Sequence, residues 1–196
     1  MKQLNNFKAV RRTGYTPLPK DAYVLKILGV KLCNNNSGNG QHFKVQFDIA
    51  EGEFEDFYLK AYEANTNEDK KWSNDGVITV SCPDDNSPQW MLDKFGEFVA
   101  AIEDSNTGYH WNWDENSWKG KLIGGLFRIE QTEYNGNVYD HTRPFWYTAA
   151  DKVRSKKFGK LPNDKLVTRS AAPQSGSTAD SFMEIPAGTP EEIPFD

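Results

Sequence analysis

The 196-residue sequence predicts a mostly-β domain: an antiparallel five-stranded barrel with one helix between its third and fourth strands, followed by a disordered C-terminal tail. Three observations carry this expectation. Several short segments alternate apolar and polar residues, one segment repeats its apolar residues every three to four positions, and an Asn-Gly pair separates two aromatic and β-branched runs. With 37% hydrophobic and 26% charged residues, part of the chain is expected to remain outside any core.

The elements follow in order. AYVLKILGVKL (22–32) is aliphatic and β-branched, and NNNSGNG (34–40) reads as a hairpin turn. HFKVQFDIA (42–50) alternates cleanly, with Phe43, Val45, Phe47 and Ile49 on one face and His42, Lys44, Gln46 and Asp48 on the other. FEDFYLKAY (54–62) is expected as the third strand, presenting Tyr58, Lys60 and Tyr62 opposite Phe57, Leu59 and Ala61. GVITVSC (76–82) is a candidate for an extra short strand. In QWMLDKFGEFVAAIED (89–104) the period changes: Trp90, Met91, Lys94, Phe95, Phe98, Val99 and Ile102 recur at helical spacing, and Pro88 suits a helix start. YHWNWDENSWKGK (109–121) is aromatic and irregular. GKLIGGLFRIEQTEY (120–134) and NGNVYDHTRPFWYTA (135–149) form a hairpin, with Asn135-Gly136 supplying the positive-φ turn. Gly124-Gly125 permits sharp bending or close backbone approach. Three antiparallel strands, a helix and a closing hairpin is the order of an OB-fold barrel.

No enzyme is expected. The chain has no G-x-S-x-G, no phosphate-binding P-loop, no HExxH and no CxxC. His42, His110 and His141 lack metal-ligand spacing, and Cys33 and Cys82 cannot alone build a disulfide framework or a four-ligand zinc site. Neither cofactor nor metal is expected. No run approaches the ~18 apolar residues of a membrane span, and the opening MKQLNNFKAVRR is not signal-like. A cytoplasmic protein without membrane partners is the expectation.

The net charge of −5 conceals a division along the chain. Residues 1–150 hold 16 basic and 21 acidic residues, residues 151–169 hold seven basic and two acidic, and residues 170–196 hold five acidic and no basic. We therefore divide the chain into a 1–150 domain, a 151–169 basic extension and a 170–196 acidic tail. The tail is rich in Ser, Ala, Pro, Gly and Thr, too poor in large apolar groups to offset the entropy of ordering.

The pattern with chemical content is basic and aromatic. Single-stranded DNA needs cations for its phosphates and rings for its unpaired bases, each stack worth roughly 1–3 kcal/mol. Lys44, Tyr58, Lys60 and Tyr62 are expected on the outer face of the second and third strands, where OB-folds bind oligonucleotides. Trp111, Trp113 and Trp118, with Tyr139, Arg143 and Trp146, would extend that surface, and Lys152, Arg154, Lys156, Lys157 and Lys160 would add phosphate contacts around Phe158.

The terminal EEIPFD (191–196) resembles the acidic tip of bacterial-type single-stranded-DNA-binding proteins, with Glu191 and Glu192 as its acids and Ile193, Pro194 and Phe195 as its apolar end. Here Asp196 follows the phenylalanine. The resemblance implies a tail that docks onto replication and recombination proteins. More loosely, the body through GKLIGGLFRIEQTEYNG (120–136) resembles phage early proteins encoded beside recombination genes, which implies a host-cytoplasm setting. The expected function is stoichiometric: non-specific coating of single-stranded DNA and recruitment of enzymes through the tail, in a monomer or a homo-oligomer. Two alternatives use the same residues differently: a carbohydrate-binding β-domain, with tryptophans on sugar rings, and a protein-only adaptor acting through its tail.

Overall fold

The computed structural model describes residues 17–35 and 40–167, and the tail motif at Glu191, Glu192, Ile193, Pro194 and Phe195 lies outside them. Five strands form one antiparallel sheet in the order β3-β2-β1-β4-β5: β1 (Ala22–Asn34), β2 (Gln41–Ile49), β3 (Val77–Cys82), β4 (Leu122–Tyr134) and β5 (Asn137–Thr148). Three α-helices interrupt or follow them: α1 (Phe57–Ala64), α2 (Gln89–Ser105) and α3 (Ala150–Arg154). The domain is thus mostly β, with the expected helix between the third and fourth strands. Asn135 and Gly136 both take positive φ, 50° and 75°, as a two-residue hairpin turn requires.

The expected closed barrel is not formed. β3 pairs only with β2 and β5 only with β4, so both are edges of an open sheet. α2 lies over β3, β4 and β5, and its Phe98 and Ile102 enter the core alongside Phe43, Val45, Phe47, Ile123 and Phe127. Each such buried side chain contributes about 1.5–3 kcal/mol of hydrophobic stabilisation. Trp118 is fully buried and meets Phe43 and Phe98 edge-on, at ring separations of 5.3 and 5.4 Å.

The second correction concerns the third strand, which is Val77–Cys82 and not 54–62. Most of α1 falls in that segment, and Asp48 explains why. Its carboxylate, at the end of β2, accepts hydrogen bonds from the backbone N–H groups of Ile49 (2.8 Å), Tyr58 (2.9 Å) and Leu59 (2.8 Å). Two of these are N-terminal amides of the helix, which have no partner within it. Leu59, Lys60, Ala61, Glu63 and Ala64 are good helix formers, so local preference agrees once the end is satisfied. Tyr58 and Tyr62, four residues apart, both lie against Trp72. Asp48, expected on the outer face of β2, is accordingly buried; burial pushes its carboxyl up while the three N–H donors pull it down, with burial dominant.

Gly124 and Gly125 answer to the expected close approach. A Cβ at Gly124 would lie 2.8 Å from the Thr148 carbonyl oxygen and 2.7 Å from Val153 of α3; at Gly125 it would lie 2.7 Å from Leu25. The absence of side chains lets β5 and α3 close over β4, so that Val153 and Ala150 bury against Val24.

Replacing Asp48 should expose the dependence of α1 on it. Asp48→Ala is expected to lower stability by about 2–3 kcal/mol through two orphaned helix amides, and Asp48→Asn, which keeps one acceptor oxygen, by less. Urea denaturation followed by far-UV circular dichroism measures both.

Candidate functional site

The open seam between β3 and β5 is a cleft of about 710 Å³. β5 forms one wall, β3 the other, and α2 the end. A bulge in β5 decides what that wall presents. Leu126 pairs with Trp146 and Phe127 with Pro144, leaving Phe145 as the extra residue. The bulge breaks the two-residue alternation, and both Phe145 and Trp146 emerge at the surface, 39% and 46% exposed. Phe145 is covered by the Arg128 guanidinium, 3.5 Å from its ring centre. From α2 come Trp90, 56% exposed, and Lys94, whose ammonium lies 5.4 Å from the Trp90 ring. Lys44 reaches the cleft from β2, in register with Lys31 of β1 and Thr79 of β3. Glu97 and Glu130 also line it, so this part is mixed in charge.

A second hollow of about 390 Å³ shares Trp146 and Tyr147 with the first. Its charged lining is wholly basic: Lys152 of α3, then Lys157 and Lys160, with Phe158 between them. Burial, with Glu130 nearby, pushes the Tyr147 phenol far up, so it remains protonated at any physiological pH. The two hollows thus make one path along β5, with Trp146 at the junction and cations on either side.

One end of the seam is tied by charge. Asp75, in a 3₁₀ turn (Asn74–Gly76) before β3, accepts from Arg143 Nε at 2.7 Å and lies 3.1 Å from His141 Nδ1, both on β5. The His141 Nε2 contacts the Thr132 hydroxyl at 3.0 Å, and Arg143 also approaches Glu130 at 3.8 Å. These pairs join the two edges where no backbone ladder does.

The structure gathers Lys44, Arg143, Trp146, Lys152 and Lys157 of the residues expected from sequence around this path. It places the others elsewhere. Tyr58 is buried in α1, with Lys60 and Tyr62 on the same helix; Lys60 donates to the Glu55 carbonyl, and Tyr62 sits beneath Lys70. The expectation of a Lys44/Tyr58/Lys60/Tyr62 strand face is therefore corrected, because only Lys44 is on a strand. Trp111 packs on Trp118 at 4.7 Å with its indole nitrogen buried, a core role. Trp113 is 82% exposed but lines neither hollow. Arg154 is committed to Glu51 and Asp151 at 2.8 and 2.6 Å, and Lys156, at a left-handed position, lines neither hollow.

Trp90, Lys94 and Phe145 belong to the path although the sequence pattern does not mark them as binding residues. Trp90 and Lys94 fit the helical period and so read as part of the buried stripe; Phe145 is revealed only by the bulge. Among the described residues, no cluster of three or more His, Cys, Asp or Glu could hold a metal ion, and no helix is long and apolar enough to cross a membrane.

Asp75→Ala is expected to lower stability by about 1–3 kcal/mol, because it leaves Arg143 and His141 without their partly buried acceptor. The check is a lower urea midpoint at unchanged slope. No protein-family model matches the chain, and no curated protein sequence matches it.

Proposed function

We propose that the protein binds single-stranded DNA without strong sequence preference, along the path from the β3–β5 seam to the basic hollow. The observation that carries this reading is Trp146, an exposed ring at the junction of two hollows with Lys44 and Lys94 on one side and Lys152, Lys157 and Lys160 on the other. An unpaired base has a free face for such a ring, and the backbone follows the cations. Duplex DNA hides its bases and gains nothing from the aromatic part.

The fold supports the same reading. We interpret the sheet as an OB-fold barrel, a class described as partly open, whose seam lies between β3 and β5. The pairing β3-β2-β1-β4-β5 with a helix after β3 fits that topology. An extended peptide added to the seam as a strand is the less favoured occupant. Pro144 has no N–H to offer a ladder, and the bulge beside it disrupts the regular spacing of β5.

Under this proposal the protein coats single strands and its EEIPFD end recruits replication or recombination proteins. A short anchor of one aromatic and nearby acids suits weak, rapid docking. The five acids of 170–196 are then competitors for the same cations as the strand.

Fluorescence anisotropy of labelled oligo(dT) at low salt tests the proposal. Wild-type protein is expected to bind, and Trp146→Ala to weaken binding by roughly 5- to 150-fold, the equivalent of one lost stack. Trp113→Ala and Tyr62→Ala should leave affinity unchanged. No binding at micromolar protein, or equal losses in all three variants, would exclude the proposed path. In a separate measurement, deletion of residues 170–196 is expected to raise affinity, most at low salt; weaker or unchanged affinity contradicts the competitor role.

A further inference from the structure

The described part of the basic extension, residues 151–167, is folded back onto the domain and fastened at two places by different devices. At the near end, α3 closes with Lys156 in a left-handed conformation (φ 53°), Lys157 N–H donating to the Lys152 carbonyl and Lys156 N–H to that of Val153. At the far end, Pro162 is fully buried and the chain lies along β4. Lys165 N–H donates to the Ile129 carbonyl at 2.9 Å, and Gln131 N–H donates to the Lys165 carbonyl at 2.8 Å. This stretch of β4 runs past the Ala22–Leu126 pair, where β1 begins, so its edge would otherwise be open. Asp164 completes the fastening: one carboxylate oxygen accepts from Ile129 N–H at 3.0 Å and from Lys20 Nζ at 2.8 Å. Among the described residues, no backbone hydrogen bond holds 158–163 between these ends.

We propose that Asp164 is a positioning residue for the DNA strand, clasping the far end of the extension so that Lys157, Phe158 and Lys160 are held around Trp146. The inference rests on the proposed single-strand path and adds how the basic hollow is maintained. It reverses the sign expected from charge alone. Asp164 is one of two acids in a segment with seven bases, so long-range electrostatics makes it a repulsive presence for phosphate. As a clasp, it strengthens binding instead. Lys20 and Ile129 N–H hold its carboxyl below the usual carboxylate range, so the clasp is ionised wherever DNA binding is measured.

The test uses the full chain with Asp164→Ala and Asp164→Asn, which remove the same charge. Only the asparagine keeps an acceptor for Ile129 N–H. Labelled oligo(dT) is titrated at several salt concentrations, and hydrogen exchange of the Gln131 and Lys165 amides is followed alongside that of Ile102 in α2. If Asp164 positions the hollow, Asp164→Ala binds roughly 5- to 25-fold more weakly, and its salt dependence is shallower by about 1.4, the loss of two phosphate contacts. Asp164→Asn falls between it and wild type. The Gln131 and Lys165 amides then exchange faster in Asp164→Ala while Ile102 keeps its protection, which separates release of the clasp from unfolding. Equal or tighter binding by both variants, or unchanged exchange at Gln131 and Lys165, overturns the inference while leaving the proposed function standing. Failure of the wild-type chain itself to bind oligo(dT) overturns the proposed function, and the strand-positioning role with it.

Discussion

The candidate site exists because two strand edges that face one another are not joined by backbone hydrogen bonds. β3 and β5 are separated by a cleft, and what spans it is helix α2 and the Asp75 pairs to His141 and Arg143. Pro144 and the bulge at Phe145 disturb the ladder pattern that closure would require. The same bulge turns two consecutive aromatic residues to the surface. One local irregularity thus accounts for both the opening and the ring that lines it. A fully closed barrel would have buried β5 against β3 and left the aromatic residues of β5 with no ligand to meet.

Charge is distributed unevenly around that opening. Arg143, Lys94 and Lys44 share the cleft with Glu97 and Glu130, and Arg143 is already engaged by Asp75 and Glu130. The second hollow has only lysines as its charged lining. Under the proposed reading, phosphate contacts fall chiefly to Lys152, Lys157 and Lys160, and the mixed-charge cleft contributes mainly its rings. A body with more acidic than basic residues is compatible with a DNA path on these terms, because counterion release depends on the phosphates contacted locally and not on net charge.

Much of the fold could be read from the chain. The alternation of Phe43, Val45, Phe47 and Ile49, the helical period of 89–104, the Asn135-Gly136 turn and the Gly124-Gly125 close approach each express a local rule, and each is present in the structure. The 54–62 segment is ambiguous in sequence because Tyr58 and Tyr62 satisfy both a two-residue and a four-residue period. The arbiter, Asp48, acts from ten residues away. The site was less legible for the same kind of reason. Lys44, Arg143, Trp146, Lys152 and Lys157 could be named by residue type, but their convergence depends on an open seam and on a folded-back extension. Trp90 and Lys94 look like an ordinary amphipathic stripe until the helix end is seen to overhang the cleft. Trp111 has the residue type of a ligand ring but is a packing ring, because Trp118 lies beneath it.

The most direct test of the strand path is photocrosslinking of the full chain to oligo(dT) under ultraviolet light, followed by peptide mass spectrometry. Adducts are expected on the β5 peptide carrying Trp146 and on the extension peptide carrying Phe158, both lost in excess unlabelled single strand and unaffected by excess duplex. Adducts confined to the Tyr62 or Trp113 peptides, or none at saturating protein, would contradict it.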